Sequence, residues 1–148
     1  MRRVIFLDID GVLAPIRRWD RYGDLDPACM QVLNEIVTAS GADVVVSSTW
    51  RYGRTVAELQ AMLHAQGFVG RVVDTTPNGT PGASRGDEIA AWLAEHEVGA
   101  YVIIDDHADV GELRPRLVQT QSGLGLCSAD EDRAIAILMQ PIAGRRAR

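Results

Sequence analysis

Two carboxylates one residue apart close an apolar run: Val4-Ile5-Phe6-Leu7 leads into Asp8-Ile9-Asp10-Gly11. A short apolar run bounded by a turn residue predicts a strand buried on both faces. In an open α/β sheet, ligands bind in the crevice beyond the carboxyl ends of the strands. Acids at such a tip are therefore placed for chemistry. Two further apolar runs end in polar clusters. Ala42 to Val46 is followed by Ser47-Ser48-Thr49-Trp50-Arg51, and Ala100 to Ile104 by Asp105-Asp106, with Asp109 a spare acid on the same loop. A base, Arg85, stands in the first turn of a predicted helix.

Asp8, Asp10, Asp105 and Asp106 brought together would repel one another and raise some of their pKa values unless a cation joined them. Hard oxygen ligands without His or Cys select Mg²⁺, which takes one or two carboxylates, keeps waters and bridges to a phosphate. Asp105-Asp106 alone reads equally well as a solvated turn, and only the joint pattern singles it out. His64, His96 and His107 show no ligand spacing.

The elements that must position these groups are legible. Asp26 caps a helix with Pro27 at its first position, Met30, Leu33, Ile36 and Val37 on one stripe and Gly41 as its stop. A second helix is expected from about Arg54 to Gln66, and a third strand near Val69 to Asp74. Thr75 to Ala83 reads as an exposed loop. Ser84 to Asp87 has the form of a capping box opening a helix that carries Ile89, Trp92 and Leu93. Arg116 to Thr120 predicts a fifth strand, and Ser128 to Glu131 another capping box before a helix with Ile135, Leu138 and Met139. Met30, Met62 and Met139 are assigned to the core. Strands alternating with helices imply a doubly wound, Rossmann-like α/β fold: a mostly parallel five-stranded sheet with helices on both faces. Single helices between strands leave no room for an inserted cap domain. One domain over residues 1–143 and a basic mobile tail over 144–148 are expected.

With 148 residues, 47% of them apolar and 24% charged, the composition is globular. A net charge of −5 argues against indiscriminate nucleic-acid binding, which needs a positive surface. Cys29 and Cys127 lack zinc or redox spacing and read as reduced thiols, which makes the cytoplasm the expected compartment. The apolar run before Asp8 is too short for a signal core or a membrane span. Trp19 and Tyr22, interleaved with Arg17, Arg18 and Arg21, could stack bases and hold phosphates or simply form a mixed surface loop. Trp50 is assigned to the core, and Arg51 to a second phosphate of the substrate.

In their order, Asp8-Ile9-Asp10-Gly11-Val12-Leu13 after a strand, Ser47-Ser48-Thr49 after the second, a basic residue at a helix start and Asp105-Asp106 after a later strand resemble the haloacid dehalogenase (HAD) superfamily of phosphohydrolases. Asn34, Ser47-Ser48-Thr49-Trp50-Arg51, Arg85-Gly86-Asp87-Glu88-Ile89 and Trp92-Leu93 resemble the small HAD domains of RNA-repair proteins. The resemblance implies a catalytic set of Asp8, Asp10, Ser47 and Arg85. Asp8 would be the nucleophile that forms an aspartyl-phosphate, and Asp10 the acid and base whose backbone carbonyl also binds metal. Ser47, or Ser48 in its place, would hold the phosphoryl group. Arg85 would stand where Lys is usual and neutralise charge. Ser48, Thr49 and Arg51 would bind substrate, and Asp8, Asp10, Asp105 and Asp106 would hold Mg²⁺, with Asp106 acting on a metal-bound water. An acid at position 10 favours phosphatase over dehalogenase chemistry. The expected activity is a Mg²⁺-dependent phosphomonoesterase for a bulky substrate such as a polynucleotide 3′-phosphate end, in association with nucleic-acid repair enzymes and away from membranes. The alternatives are a small-molecule nucleotide phosphatase and a receiver-like phosphoacceptor domain, although receivers place their paired acids after the first strand.

Overall fold

The computed structural model describes residues 1–16 and 25–142, so the arginine- and aromatic-rich loop and the 144–148 tail lie outside the described residues. Five strands, β1 (Arg3–Leu7), β2 (Asp43–Val46), β3 (Val72–Thr75), β4 (Ala100–Asp105) and β5 (Leu117–Gln119), form one sheet in the order β3-β2-β1-β4-β5. Every pairing is parallel. Four α-helices accompany them among the described residues: α1 (Pro27–Ser40), α2 (Val56–Ala65), α3 (Arg85–Ala94) and α4 (Ser128–Leu138). Among the described residues each long crossover carries a single α-helix, and no inserted domain interrupts the sheet.

Side-chain alternation sorts the core into two layers. Ile5, Leu7, Val44, Val46, Val102 and Ile104 face α1, α2 and α4, packing on Leu33, Ile36, Leu63 and Leu138. Val4, Phe6, Val45, Tyr101 and Ile103 face the other way, onto Ile89, Trp92 and Leu93 of α3. Phe6 meets Trp92 and Tyr101 edge-on at 5.4 and 5.7 Å between ring centres, a favoured aromatic geometry. The central strand β1 is fully buried from Val4 to Leu7, as its unbroken apolar run requires.

Local signals set the helix limits. Asp26 accepts the Ala28 N–H at the start of α1, and Gly41, at φ +70°, closes it. Thr55 and Glu58 form a reciprocal box on α2, Ser84 and Asp87 the same on α3. Asn34, on α1, donates to the Gly67 carbonyl and accepts the Val69 N–H, which fixes the turn after α2. That turn takes Val69, 66% exposed, out of the expected third strand, which begins instead at Val72. At α4 the expected Ser128 box is displaced by one residue: Asp130 accepts the Cys127 N–H, and Ser128 is already helical. Met139 ends that helix 42% exposed, outside the core assigned to it.

The chain leaves β1 toward β2 and returns through α3 to β4 on the other side of β1. Strand order thus reverses between β1 and β4, the place where doubly wound sheets open a crevice. Both acidic clusters end strands at that point.

Candidate active site

The register of the sheet builds the site. Leu7 pairs with Val46 on one side and Ile104 on the other, and Val46 pairs with Thr75. The ladders continue one residue further, with Asp8 N–H donating to the Ile104 carbonyl at 3.0 Å, Ser47 N–H to Leu7 at 3.0 Å and Thr76 N–H to Val46 at 3.1 Å. Thr76, Ser47, Asp8 and Asp105 therefore stand in one row across four strands. Alternation sends Asp8, Ser47 and Asp105 to the face of Phe6, Val45 and Ile103, which is the α3 face.

From the first residue of α3, Arg85 reaches that row. Its Nη1 lies 2.7 Å from Asp105 and 3.4 Å from Asp8. The helix can come this close because residue 86 is glycine: a Cβ there would overlap the Val110 backbone, and Gly86 N–H donates to the Asp109 carbonyl at 3.0 Å.

Asp106, one residue on, leaves the row. Ser122 Oγ donates to its Oδ2 at 2.7 Å, while its Oδ1 is buried with no hydrogen-bond donor among the described residues. Gly11 lies against this carboxylate at φ +81°, and a Cβ there would overlap it. Thr120 Oγ1 donates to the Gly11 carbonyl at 2.7 Å and ties the turn after β1 to the end of β5.

The electrostatics are unbalanced. Carboxylate oxygens of Asp8, Asp105 and Asp106 lie within 4.8 Å of one another, against one guanidinium among the described residues. Burial, and then the Asp105 charge, push Asp8 up to about 8, although Arg85 pulls it down. Burial raises Asp105 as well, with Arg85 opposing. Burial works against the Arg85 charge, but the two acids outweigh it and hold the side chain protonated. Three oxygen ligands, an orphaned Asp106 Oδ1 and a surplus of negative charge fit a hard divalent cation. The Asp10 carboxylate is not in this group. Asp109 is exposed, outside it too, and its carbonyl accepts the Gly86 N–H. His107 sits at the rim, its Nε2 3.8 Å from Asp106.

Around the second strand the structure redistributes roles. Ser47 is fully buried, beside Asp8, with its hydroxyl lacking a partner among the described residues. Ser48 Oγ accepts the Trp50 N–H and caps the short helical turn Thr49–Arg51, and Thr49 is exposed. Arg51 departs from its expected place on a substrate phosphate. It is 5% exposed, and its guanidinium donates to the Thr76, Ser47, Ser48 and Pro77 carbonyls and to Glu88, 3.0 Å away. With each N–H engaged, it clamps the ends of β2 and β3 to α3. Trp50 packs on the core as expected, but only in part, because its Nε1 donates to Asp10 Oδ2 at 3.2 Å. The contacts of Trp50 with Asp10, Glu88 with Arg51 and Ser122 with Asp106 span 40, 37 and 16 positions. No local pattern in the sequence announces them.

No helix among the described residues is long and apolar enough to cross a membrane. No curated protein and no solved structure matches the chain significantly. A family model, described as the HAD domain in Swiss Army Knife RNA repair proteins, matches residues 4–130, which include every acid of the site. The chain therefore belongs to the HAD superfamily, in the family of HAD domains found in those RNA repair proteins.

Proposed function

We propose that the protein is a Mg²⁺-dependent phosphomonoesterase that works through an aspartyl-phosphate and acts on a phosphorylated polynucleotide end, with a 3′-phosphate as the leading substrate. The observation that carries the chemistry is the row at the sheet edge. Asp8 lies between Asp105 and a Ser47 hydroxyl that has no partner among the described residues, with Arg85 against both acids.

In the first step a carboxylate oxygen of Asp8 attacks phosphorus and the bond to the ester oxygen breaks. Asp10 gives that oxygen a proton, so the alcohol leaves neutral. In the second step Asp10 removes a proton from water, the water oxygen attacks phosphorus, and phosphate departs with Asp8 restored. Ser47 donates to a phosphoryl oxygen, and Arg85 offsets charge that would otherwise repel an anionic substrate from an anionic nucleophile. Asp8, Asp105 and Asp106, with the Asp10 carbonyl, would hold Mg²⁺, which when bound supplies further charge neutralisation at the transferring group. Ser48 and Thr49, next to Ser47 in sequence, would border the phosphoryl position without a catalytic step of their own.

Two features support the choice of substrate. The family is defined on RNA repair proteins. Beside Trp50, the 51%-exposed Tyr52 ring lies 4.8 Å from the Arg51 guanidinium, and Arg54 is also exposed, an edge suited to bases and phosphates. Rates on a 3′-phosphorylated RNA oligonucleotide, its 5′-phosphorylated isomer and mononucleotides, with Mg²⁺ or EDTA, test the reading. The oligonucleotide 3′-phosphate should be hydrolysed fastest and only with Mg²⁺. A preference for mononucleotides would transfer the assignment to a small-molecule phosphatase, and full activity of Asp8→Asn would remove the nucleophile.

A further inference from the structure

Trp50 belongs to no motif that performs the chemistry above, yet its side chain reaches Asp10. Its indole N–H donates to Asp10 Oδ2 at 3.2 Å across 40 positions of chain. The ring is fixed on several sides. Its backbone N–H is held by Ser48 Oγ at 3.2 Å, its carbonyl accepts from Arg54 at 2.9 Å, the same guanidinium stands 5.9 Å over the ring, and its body packs on the core beneath.

An indole nitrogen is a donor only and carries one proton at every working pH. The oxygen it faces must therefore accept. A protonated carboxyl has one hydroxyl and one carbonyl oxygen, so a fixed donor at Oδ2 leaves the proton to Oδ1. We infer that Trp50 is a positioning residue for Asp10: its N–H holds Oδ2 as an acceptor and assigns Oδ1 as the oxygen that gives and takes the proton. This rests on the reading of Asp10 as acid and base. The indole holds the carboxyl rotation still, as a general acid within hydrogen-bond reach of a leaving oxygen requires.

Leaving-group dependence separates this role from a structural one. An alkyl leaving group, such as a ribose hydroxyl, needs its proton in the transition state, whereas p-nitrophenolate departs without one. The quantity to compare is kcat/KM, which covers the steps through formation of the aspartyl-phosphate, for a 3′-phosphorylated oligonucleotide and for p-nitrophenyl phosphate. Trp50→Phe keeps the ring and deletes the N–H. It should lose roughly ten- to hundredfold on the oligonucleotide and less than about threefold on p-nitrophenyl phosphate. Trp50→His, which can present an N–H, should recover part of the loss.

Asp10→Asn is the control. If it loses both substrates equally, Asp10 is not the acid and the inference falls with that reading. If it loses the oligonucleotide selectively while Trp50→Phe loses both equally or neither, the chemistry stands and the inference is overturned. Should Trp50→Phe fold poorly, the Trp50 indole ¹H–¹⁵N resonance still decides. It should move on Asp10→Asn in the otherwise unaltered protein, and an unmoved resonance refutes the hydrogen bond.

Discussion

Asp8→Asn should make the metal-free protein more stable at pH 7, although it removes the proposed nucleophile. Asp8 is 5% exposed, beside Asp105, and its pKa is raised from an ordinary 3.8 to about 8. Between those values the folded chain holds a proton that the unfolded chain has released. The folded state then binds more protons, and stability falls as pH rises through that window. Below about pH 4 both states are protonated and the penalty is absent, and above about pH 8 it is complete. At pH 7 the gap from 3.8 corresponds to about 4 kcal/mol as an upper bound. An amide in the same place is neutral but still buried, and it gives up the Arg85 contact, whereas Arg85 keeps Asp105 at 2.7 Å. A net gain of about 1–3 kcal/mol is therefore expected in EDTA. Urea unfolding at pH 5, 6, 7 and 8 reads it: the parent curve should slope downward with pH, and the variant curve should be flatter and higher at pH 7. Mg²⁺ should stabilise the parent and release a proton near neutrality, detected as a buffer-dependent binding heat. A variant less stable than the parent at pH 7 in EDTA, or parent stability that rises from pH 5 to 8, would refute the buried-charge account of the site.

Substitutions at three other positions probe the scaffold of the site. Arg85 meets both acids through a single nitrogen, so Arg85→Lys should keep activity within about tenfold while Arg85→Ala loses at least about a hundredfold in kcat; equal losses would show that charge is not the working property. Gly11→Ala combines a positive φ with an overlap on Asp106, and should cost at least about 2 kcal/mol and weaken Mg²⁺ stabilisation, both visible in thermal melts. Glu88→Gln leaves the Arg51 charge, 3% exposed, without its carboxylate. A loss of about 3 kcal/mol is expected in urea unfolding, and a change under about 1 kcal/mol would show that the carbonyls alone satisfy Arg51.

The strand tips were readable because each couples an abrupt change in polarity to a turn residue, and Asp8-Ile9-Asp10-Gly11 has both. The parallel sheet and its two-sided helix layers followed from the alternation of strands and helices, and the Ser84 cap from its own local chemistry. Arg51 was misread because a short helical turn after β2 follows neither the helix nor the strand period. Nothing local therefore separates an outward arginine from one folded onto carbonyls at the ends of β2 and β3 and a carboxylate of α3. The α4 cap slipped because Cys127-x-x-Asp130 and Ser128-x-x-Glu131 are offset by one residue, and only the backbone geometry chooses between them. The bonds from Trp50 to Asp10 and from Ser122 to Asp106 depend on register and on the path of loops.

Because Ser47, Asp8 and Asp105 occupy one level of adjacent parallel strands, the hydrogen-bond ladder acts as a ruler for the site. Neighbouring strands stand about 4.8 Å apart, a pitch that no side chain in the core can stretch without breaking backbone bonds. The phosphoryl group must fit a gap set by peptide geometry, and only the reach of each side chain remains adjustable. An extra methylene at position 8 would overshoot by about one bond length while keeping its charge. Evolution of substrate choice on this frame is therefore confined to the loops beyond the row, and the row itself is free to vary only by exchanging groups of equal length.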